Sequence, residues 1–528
     1  MTYQSDRDSL SRQSLHIVEL DLDTKITAGG KEYLCDGVVP FGQTFYPCVN
    51  NIQWVPTRAA ESGGLGLFGQ LVIDVTDFPY PGGAGTYFGR LLANNEYYLD
   101  RLLKVWVGFY RQGETFSFSN FQERRFFIKR IVGPDQNKKL KIEAVDILSL
   151  LKDGQVPPIT YGQLNAALNN SATGTINIQD NTNFVNATGY AIINDEIVQY
   201  TSTSGSDSIV FSARGQLGTK ADEHDADDSV RMIYVDDDNV VNAIRTLIED
   251  YTNVDDATYI PDTDWNTQRD DFLSSENVAL RVLEPTEVDV LIDEMGQYCS
   301  TNVWWDEAAK EIKLEAIGPT LTPSVEWDDN NNILDERIIL KRDQKKILTQ
   351  VWYFYGKVNP TKGDNAENYS STYVRIDSFA EAGLGTEKIK KIFAKHIPDT
   401  GTATASKVTS RLISQNSKPI ELTLMVDAKD SSLDVGDSVD INSDIFQDTS
   451  GANAVTKLRI IEKIEKPNNR YQYKMLFSGI DISSRYATIG PDTLPDYTSS
   501  TEQQRIDYGW ISDDDDEFSN GDPAYLIL

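Results

Sequence analysis

The stretch Ala191–Val235 constrains the fold more than any other part of the chain. Ala191-Ile192-Ile193 is an apolar run, broken at Asn194-Asp195 and resumed by Glu196-Ile197-Val198-Gln199-Tyr200-Thr201. A second polar turn, Ser202–Asp207, precedes Ser208-Ile209-Val210-Phe211, and Ser229–Val235 closes the stretch. Short β-branched and aromatic runs between turn clusters predict an antiparallel meander. Arg214-Gly215-Gln216-Leu217-Gly218-Thr219 is a glycine-punctuated loop, whose glycines permit backbone angles closed to other residues. His224 follows it and reads as a structural loop residue bonded to backbone.

The same alternation recurs on both sides. A chain of 528 residues exceeds what one core organises and should hold several domains. Strands are predicted at Leu15–Leu22, Tyr33–Cys35, Ile52–Val55, Gly69–Val75 and Lys104–Tyr110. Phe126–Val132 and Lys139–Val145 form a hairpin around Gly133-Pro134-Asp135. Gly63–Gly66 and Pro79–Gly85 read as flexible loops without the spacing of a phosphate cradle. Gln155–Thr160 reads as a linker, and Tyr161–Gly174 as polar and poor in core residues. Asp236-Asp237-Asp238 reads as an acidic N-cap run for a helix over Val240–Tyr251. A second amphipathic helix, Val288–Tyr298, leads into a hairpin of Asn302–Glu307 and Glu311–Ile317. Trp304 and Trp305 alternate on that strand, so one belongs in the core and the other at a subunit contact. Further on, Ile347–Tyr355 is a strand, Asp364–Ser371 a polar loop, and Lys388–His396 and Thr404–Asn416 are helices. Glu421–Asp427, Leu433–Ile441, Leu458–Lys466 and Arg470–Phe477 complete a second β-region.

The expected fold is therefore mainly β with some α, and multidomain. Its parts are a β-domain at 1–155, a β-meander insertion at 156–236, an α/β region at 237–330 and a second β-domain with inserted helices at 331–484. Residues 485–528 form an acidic extended arm, in which Asp513–Glu517 lies among Tyr508, Trp510, Phe518, Tyr525, Leu526 and Leu528. These aromatic and apolar residues, Trp510, Tyr525 and Leu528 among them, are expected to dock on a neighbour; the alternative is a solvating tail.

A net charge of −32 repels phosphate and argues against specific nucleic-acid binding. Solubility or a salty environment would explain the same charge. Cys35, Cys48 and Cys299 are too few and too badly spaced for a disulfide framework or a metal site, and read as reduced buried thiols. The polar N-terminus lacks a signal core, and no apolar run approaches the length of a membrane span. The expected product is soluble, made in a cytoplasm, and needs no cofactor. His16, His224 and His396 fit no metal-ligand spacing, and no nucleophile elbow or Walker loop appears. The expectation is that the chain is not an enzyme.

The "IxxEIVxY" strand, "TSxSG" turn, "RGQLGT" loop and His224 resemble a small β-domain found in tail proteins of double-stranded DNA phages. The stretches "LIDEMGQYCSTNVWWDEAAKEIKLEAI" and "LDVGDSVDI" are similar to segments of phage tail hub proteins, as are the "GQTFYP" and "GLGLFGQLVIDVTDF" runs near the N-terminus. The resemblance implies a baseplate or tail-tip hub of a long-tailed phage: a homotrimeric ring in which each copy supplies two β-barrel-like hub domains, residues 1–155 and 331–484. It implies a place in the virion and three partners, namely a distal tail protein, a tape measure protein and a central fibre or receptor-binding protein. DNA would pass through without specific binding. The alternatives are an adhesive receptor-binding module and a tail-associated cell-wall hydrolase.

Overall fold

The computed structural model describes residues 13–22, 32–37, 44–81, 83–110, 116–317, 325–417, 419–466 and 470–477, with short pieces at 488–489, 499, 501 and 508–509. The fold is mainly β with some α and contains several separate sheets.

The N-terminal sheet has eight strands. Their spatial order is Thr44–Tyr46, Glu32–Cys35, Gln13–Leu20, Leu102–Tyr110, Phe121–Val132, Lys139–Val145, Gln70–Thr76 and Val49–Val55. Period-two patterning sends alternate side chains inward. Thus Leu71, Ile73 and Val75 of one strand, with Leu103, Val105 and Val107 of another, are buried in one core. The helix Tyr87–Asn94, capped by Thr86, lays Tyr87, Phe88 and Leu91 on that core. A second, aromatic cluster gathers Tyr33, Phe121 and Leu15 with Phe45, Phe116 and Phe118.

The second β-domain is a six-stranded sheet ordered Glu326–Asp328, Ser438–Asn442, Thr456–Lys466, Arg470–Phe477, Ile420–Asp427 and Ile333–Arg342. Its two outer strands follow one another in the chain, joined by the turn at 329–332. Such a link spans at most about 18 Å, so the sheet must roll its edges together. Trp327 and Ile333, one from each edge, accordingly share a core with Leu424, Val439, Ile460 and Tyr473.

The meander is a sheet ordered Gly162–Gln163, Ser229–Asn239, Gly189–Ile193, Glu196–Ser204, Ser208–Ala213 and Gly174–Asn177. Leu164 and Leu168 are buried in its core, so the stretch Tyr161–Gly174 is core-bearing rather than core-poor. Asp236–Asp238 do not cap a helix. They extend the long strand and pair with Val278–Leu280 of Asn277–Val282, and Asn239 caps the helix Val240–Tyr251 at the Val241 N–H. Backbone pairing is worth more here than the helix dipole because the strand is already built.

The middle core joins that helix, Asp262–Asp271 and Val288–Cys299 to the hairpin Thr301–Asp306/Glu311–Ala316. It also takes in Val351, Tyr353, Tyr355, Val408 and Leu412, so residues 347–417 leave the second sheet and pack with the middle region. Ile389–Phe393 is a strand, parallel to Gln350–Phe354, where a helix over Lys388–His396 was expected. Apolar residues at 389, 392 and 393 fit either period, and the neighbouring strand decides the outcome. Tyr369–Ser371, expected in a loop, likewise begins the strand Tyr369–Ile376 on the other side of the same neighbour. Gln155–Val156 is not a free linker: it pairs with Thr286–Glu287, and Val156 is fully buried.

Gly63–Gly66 is a docking segment rather than a loop. Gly64-Leu65 pairs in parallel with Asn302-Val303, and the Leu65 N–H donates to Asp293 Oδ1 at 3.0 Å. A Cβ on Gly296 would lie 2.6 Å from the Gly64 Cα, so the helix Val288–Cys299 and this segment touch backbone to backbone. Gly64 also has φ +113°, and a Cβ there would fall 2.2 Å from the Asp293 carboxylate. Gly64→Ala is expected to cost about 2–3 kcal/mol by overpacking and strain. Thermal unfolding would check it, and a Tm matching the parent would mean the contact opens freely.

Candidate functional site

The segment after the strand Val49–Val55 crosses from the first β-domain to the second. Arg58 and Leu67 exchange backbone hydrogen bonds at 3.1 and 2.8 Å. The next residue, Ala59, donates its N–H to the Ile461 carbonyl at 3.0 Å. The strand Thr456–Lys466 changes register between Ile460 and Glu462. An irregularity of this kind turns a backbone group out of the ladder, and Ala59 fills the place.

Beside this bridge a cleft of about 130 Å³ is lined by Trp54, Thr57, Arg124, Trp304, Glu307 and Glu465, among others. Arg124, on the strand Phe121–Val132, contacts Glu307 at 3.3 Å and Glu465 at 3.2 Å. Its guanidinium lies 4.1 Å from the Trp54 ring centre, and Trp54 Nε1 donates to Glu307 Oε1 at 3.3 Å. One planar cation therefore links the first β-domain, the middle hairpin and the second β-domain. A guanidinium suits this work, since it can meet two carboxylates in its plane and an aromatic face above it. Burial raises the Glu307 carboxyl above its usual range, and Arg124 holds back part of the rise.

The neighbouring acids are also committed. Asp306 Oδ1 accepts from the Ala308 and Ala309 N–H groups at 2.8 and 2.9 Å and so shapes the hairpin turn. Asp434 pairs with Lys463. Asp146, wholly buried, accepts from the Gly69 N–H, the Thr57 hydroxyl and the Leu148 N–H. Burial pushes its carboxyl up to about 7 in spite of those donors. Among the described residues no group of His, Cys, Asp and Glu side chains could hold a metal ion. No helix among them is long and apolar enough to cross a membrane.

The residues of the central motif meet in a second network. Arg214 reaches both oxygens of Glu196 at 2.7 Å. His224 Nε2 lies 2.8 Å from Glu196 Oε2, and the Gly215 and Asp222 N–H groups donate to the same carboxylate. Gly215 and Gly218 have φ +58° and +80°, as the loop requires. His224 pairs with Leu168 through its backbone, but its ring bonds a carboxylate, not backbone as expected. Burial raises the Glu196 carboxyl, and Arg214, the two N–H groups and His224 more than reverse this, leaving it below the usual range. The sequence shows all three residues, but nothing in their spacing says that they converge.

Of the expected contact residues, Trp304 and Trp305 are 5% and 1% exposed and pack within this chain. Trp304 borders the cleft, while Trp305 packs on Tyr259 in the middle core. Trp510, Tyr525 and Leu528 lie outside the described residues. Cys35, Cys48 and Cys299 are buried free thiols, and burial raises each above the usual range.

No family model matches the chain, and no curated protein does. Among solved structures the chain is similar to a tail protein from Neisseria meningitidis MC58, at 10% identity over 88% of this chain and 98% of that one, with TM-score 0.40. It is similar to the prophage tail protein gp18 from Listeria monocytogenes EGD-e, at 11% identity over 89% and 97%, with TM-score 0.40. A 43 kDa tail protein of prophage MuSo2 from Shewanella oneidensis aligns at 8% identity over 88% and 99%, with TM-score 0.41.

Arg124→Ala should destabilise the fold by about 3 kcal/mol, because Glu307 then stays buried without its cation. Adding Glu307→Gln should recover part of that loss, as a double-mutant cycle in denaturant would measure. Additive losses would contradict the pairing. Glu196→Gln should cost the meander about 3 kcal/mol for the same reason. Because the Glu196 carboxyl is depressed in the fold, its contribution is present above the ordinary carboxylate range and is lost as pH falls through the depressed value. Hydrogen exchange of Gly189–Ala213 should therefore report opening in the variant at neutral pH, and in the parent only in acid.

Proposed function

We propose that this chain is a structural protein of a long-tailed phage, forming with two further copies a hub ring at the distal end of the tail tube. The observation that carries the reading is the pair of β-sheet domains, one built from residues 13–145 and the other from 326–342 with 420–477, joined through Ala59 and Arg124. A protein that closes a tube must hold its shape under load. Fixing two sheets to each other by backbone bonding and a shared cation supplies that rigidity. Three such chains present six β-domains, the number a sixfold tube requires, and homo-oligomers generally close on a point group. The "RGQLGT", "WWDE" and "LDVGDSVDI" motifs support the same reading.

The partners would be a distal tail protein above, a tape measure protein inside, and a central fibre or receptor-binding protein below. The net charge of −32 would keep DNA from adhering in transit, since phosphate gains nothing from an acidic wall. A structural role is favoured over a cell-wall hydrolase by the state of the cleft's acids. Asp306, Glu307, Asp434 and Glu465 are each engaged by a cation or by backbone N–H groups.

The mass of the protein in solution, and of the hub in assembled tails, is expected to correspond to three copies. A stable dimer or hexamer would contradict the ring.

A further inference from the structure

The two β-domains are built on one plan. In the first, Leu102–Tyr110, Phe121–Val132, Lys139–Val145, Gln70–Thr76 and Val49–Val55 lie side by side in that order. In the second, Ser438–Asn442, Thr456–Lys466, Arg470–Phe477, Ile420–Asp427 and Ile333–Arg342 do the same. Corresponding strands follow the same order along the chain, and every neighbouring pair is antiparallel. The register agrees too. Phe126 opposite Leu103 answers to Leu458 opposite Val439, and Ile73 opposite Ile142 answers to Leu424 opposite Tyr473. All of these side chains are buried. The ladders to Lys139–Val145 and to Arg470–Phe477 each skip one residue at the same place, Lys129 in the first domain and Ile461 in the second. The turn beside the bulge is shared as well. The Asp100 N–H donates to the Ile128 carbonyl and the Ile128 N–H to Arg101, as Gly436 does to Ile460 and Ile460 to Asp437.

The correspondence fails at one point. The Ile461 carbonyl accepts the Ala59 N–H of the first domain, whereas among the described residues no backbone N–H from outside the sheet reaches the Lys129 carbonyl. The side chains around the two bulges differ in the same way. Val435 and Ile464 are half-buried, and Val435 borders the cleft opposite Trp54 and Thr57 of the first domain. Their counterparts Leu99 and Val132 are 60% and 47% exposed, and Tyr97 beside Leu99 is 83% exposed. Bare apolar side chains grouped around an unfilled bulge mark a contact surface.

We propose that this surface of the first β-domain receives the second β-domain of another copy of the chain, docked as the first domain docks on the second within one chain. The repeat chooses the occupant, because the matching surface of the second sheet is already covered by a domain of this plan. Within the chain the docking element is Pro56–Ala59, which follows the strand Val49–Val55. Its counterpart is the end of the strand Ile333–Arg342 with Asp343–Lys346 after it, and residues 341–346 are exposed. A contact between two unlike surfaces repeats from copy to copy, and it closes a ring where the rotation allows. That three copies close it rests on the ring reading above; the pairing of the two surfaces does not.

The test uses the full chain carrying the photoreactive Tyr97→benzoylphenylalanine, in an equal mixture of isotopically heavy and light protein. After irradiation, mass spectrometry maps the crosslinks. The expected result is crosslinks from one chain to residues 338–346 of another. Leu99→Asp with Val132→Asp, both at exposed positions, should leave the fold intact and weaken self-association about tenfold or more, because each carboxylate would be buried without a partner. Crosslinks to other parts of a second chain, crosslinks confined within one chain, or none at all would overturn the proposal. So would self-association that the two aspartates leave unchanged. A trimeric mass with any of those results overturns this surface alone. Crosslinks to 338–346 in an assembly of another size uphold the surface and overturn the ring of three.

Discussion

The architecture turns on one guanidinium. Arg124 leaves the first β-domain and is held by Glu307 of the middle hairpin and Glu465 of the second β-domain, with Trp54 beneath it. Three parts of the chain separated by up to 341 positions are thus tied at one point. Two carboxylates and one cation leave a net negative charge in a partly dry place, which would cost stability if the groups lay far apart. The indole face and the Trp54 N–H lower that cost, and the backbone bond from Ala59 to Ile461 fixes the spacing. The junction is therefore both an adhesive and a register mark for the two sheets.

Neighbouring contacts extend the same constraint. Gly64 and Gly296 bring the first domain onto the middle helix with no side chain between them. The turn Ile147–Asp153 then inserts Ile147, Leu148 and Leu151 into the middle core. By contrast, the meander keeps its own core and its own buried charge network around Glu196. It shares the long strand Ser229–Asn239 with the middle region, and its loop meets the Val358 carbonyl at Gly218. Its stability is local, whereas that of the two joined β-sheet domains depends on contacts distant in sequence.

That division explains what the sequence discloses. The meander strands, the two amphipathic helices and the closing hairpin follow from local period, and the glycines of the "RGQLGT" loop adopt the angles their chemistry permits. Gly63–Gly66 looks like a loop because Asp293 and Gly296, which give it a place, lie more than two hundred residues on. Lys388–His396 looks helical because Ile389, Ile392 and Phe393 fit that spacing, until the strand beside it supplies hydrogen bonds. Asp236–Asp238 look like a cap until Asn277–Val282 pairs with them. At the junction itself, Trp54, Arg124, Glu307 and Glu465 carry no local signal, because none is near another in the chain.

In the proposed ring, two rigidly joined β-domains of each chain surround a channel. Electron microscopy of the purified protein and of the tail tip tests this most directly. The expected image is a ring of three copies with six β-domains around an open centre and the meander outside it. A solid, isolated tip without a channel, with the two β-domains apart, would contradict it.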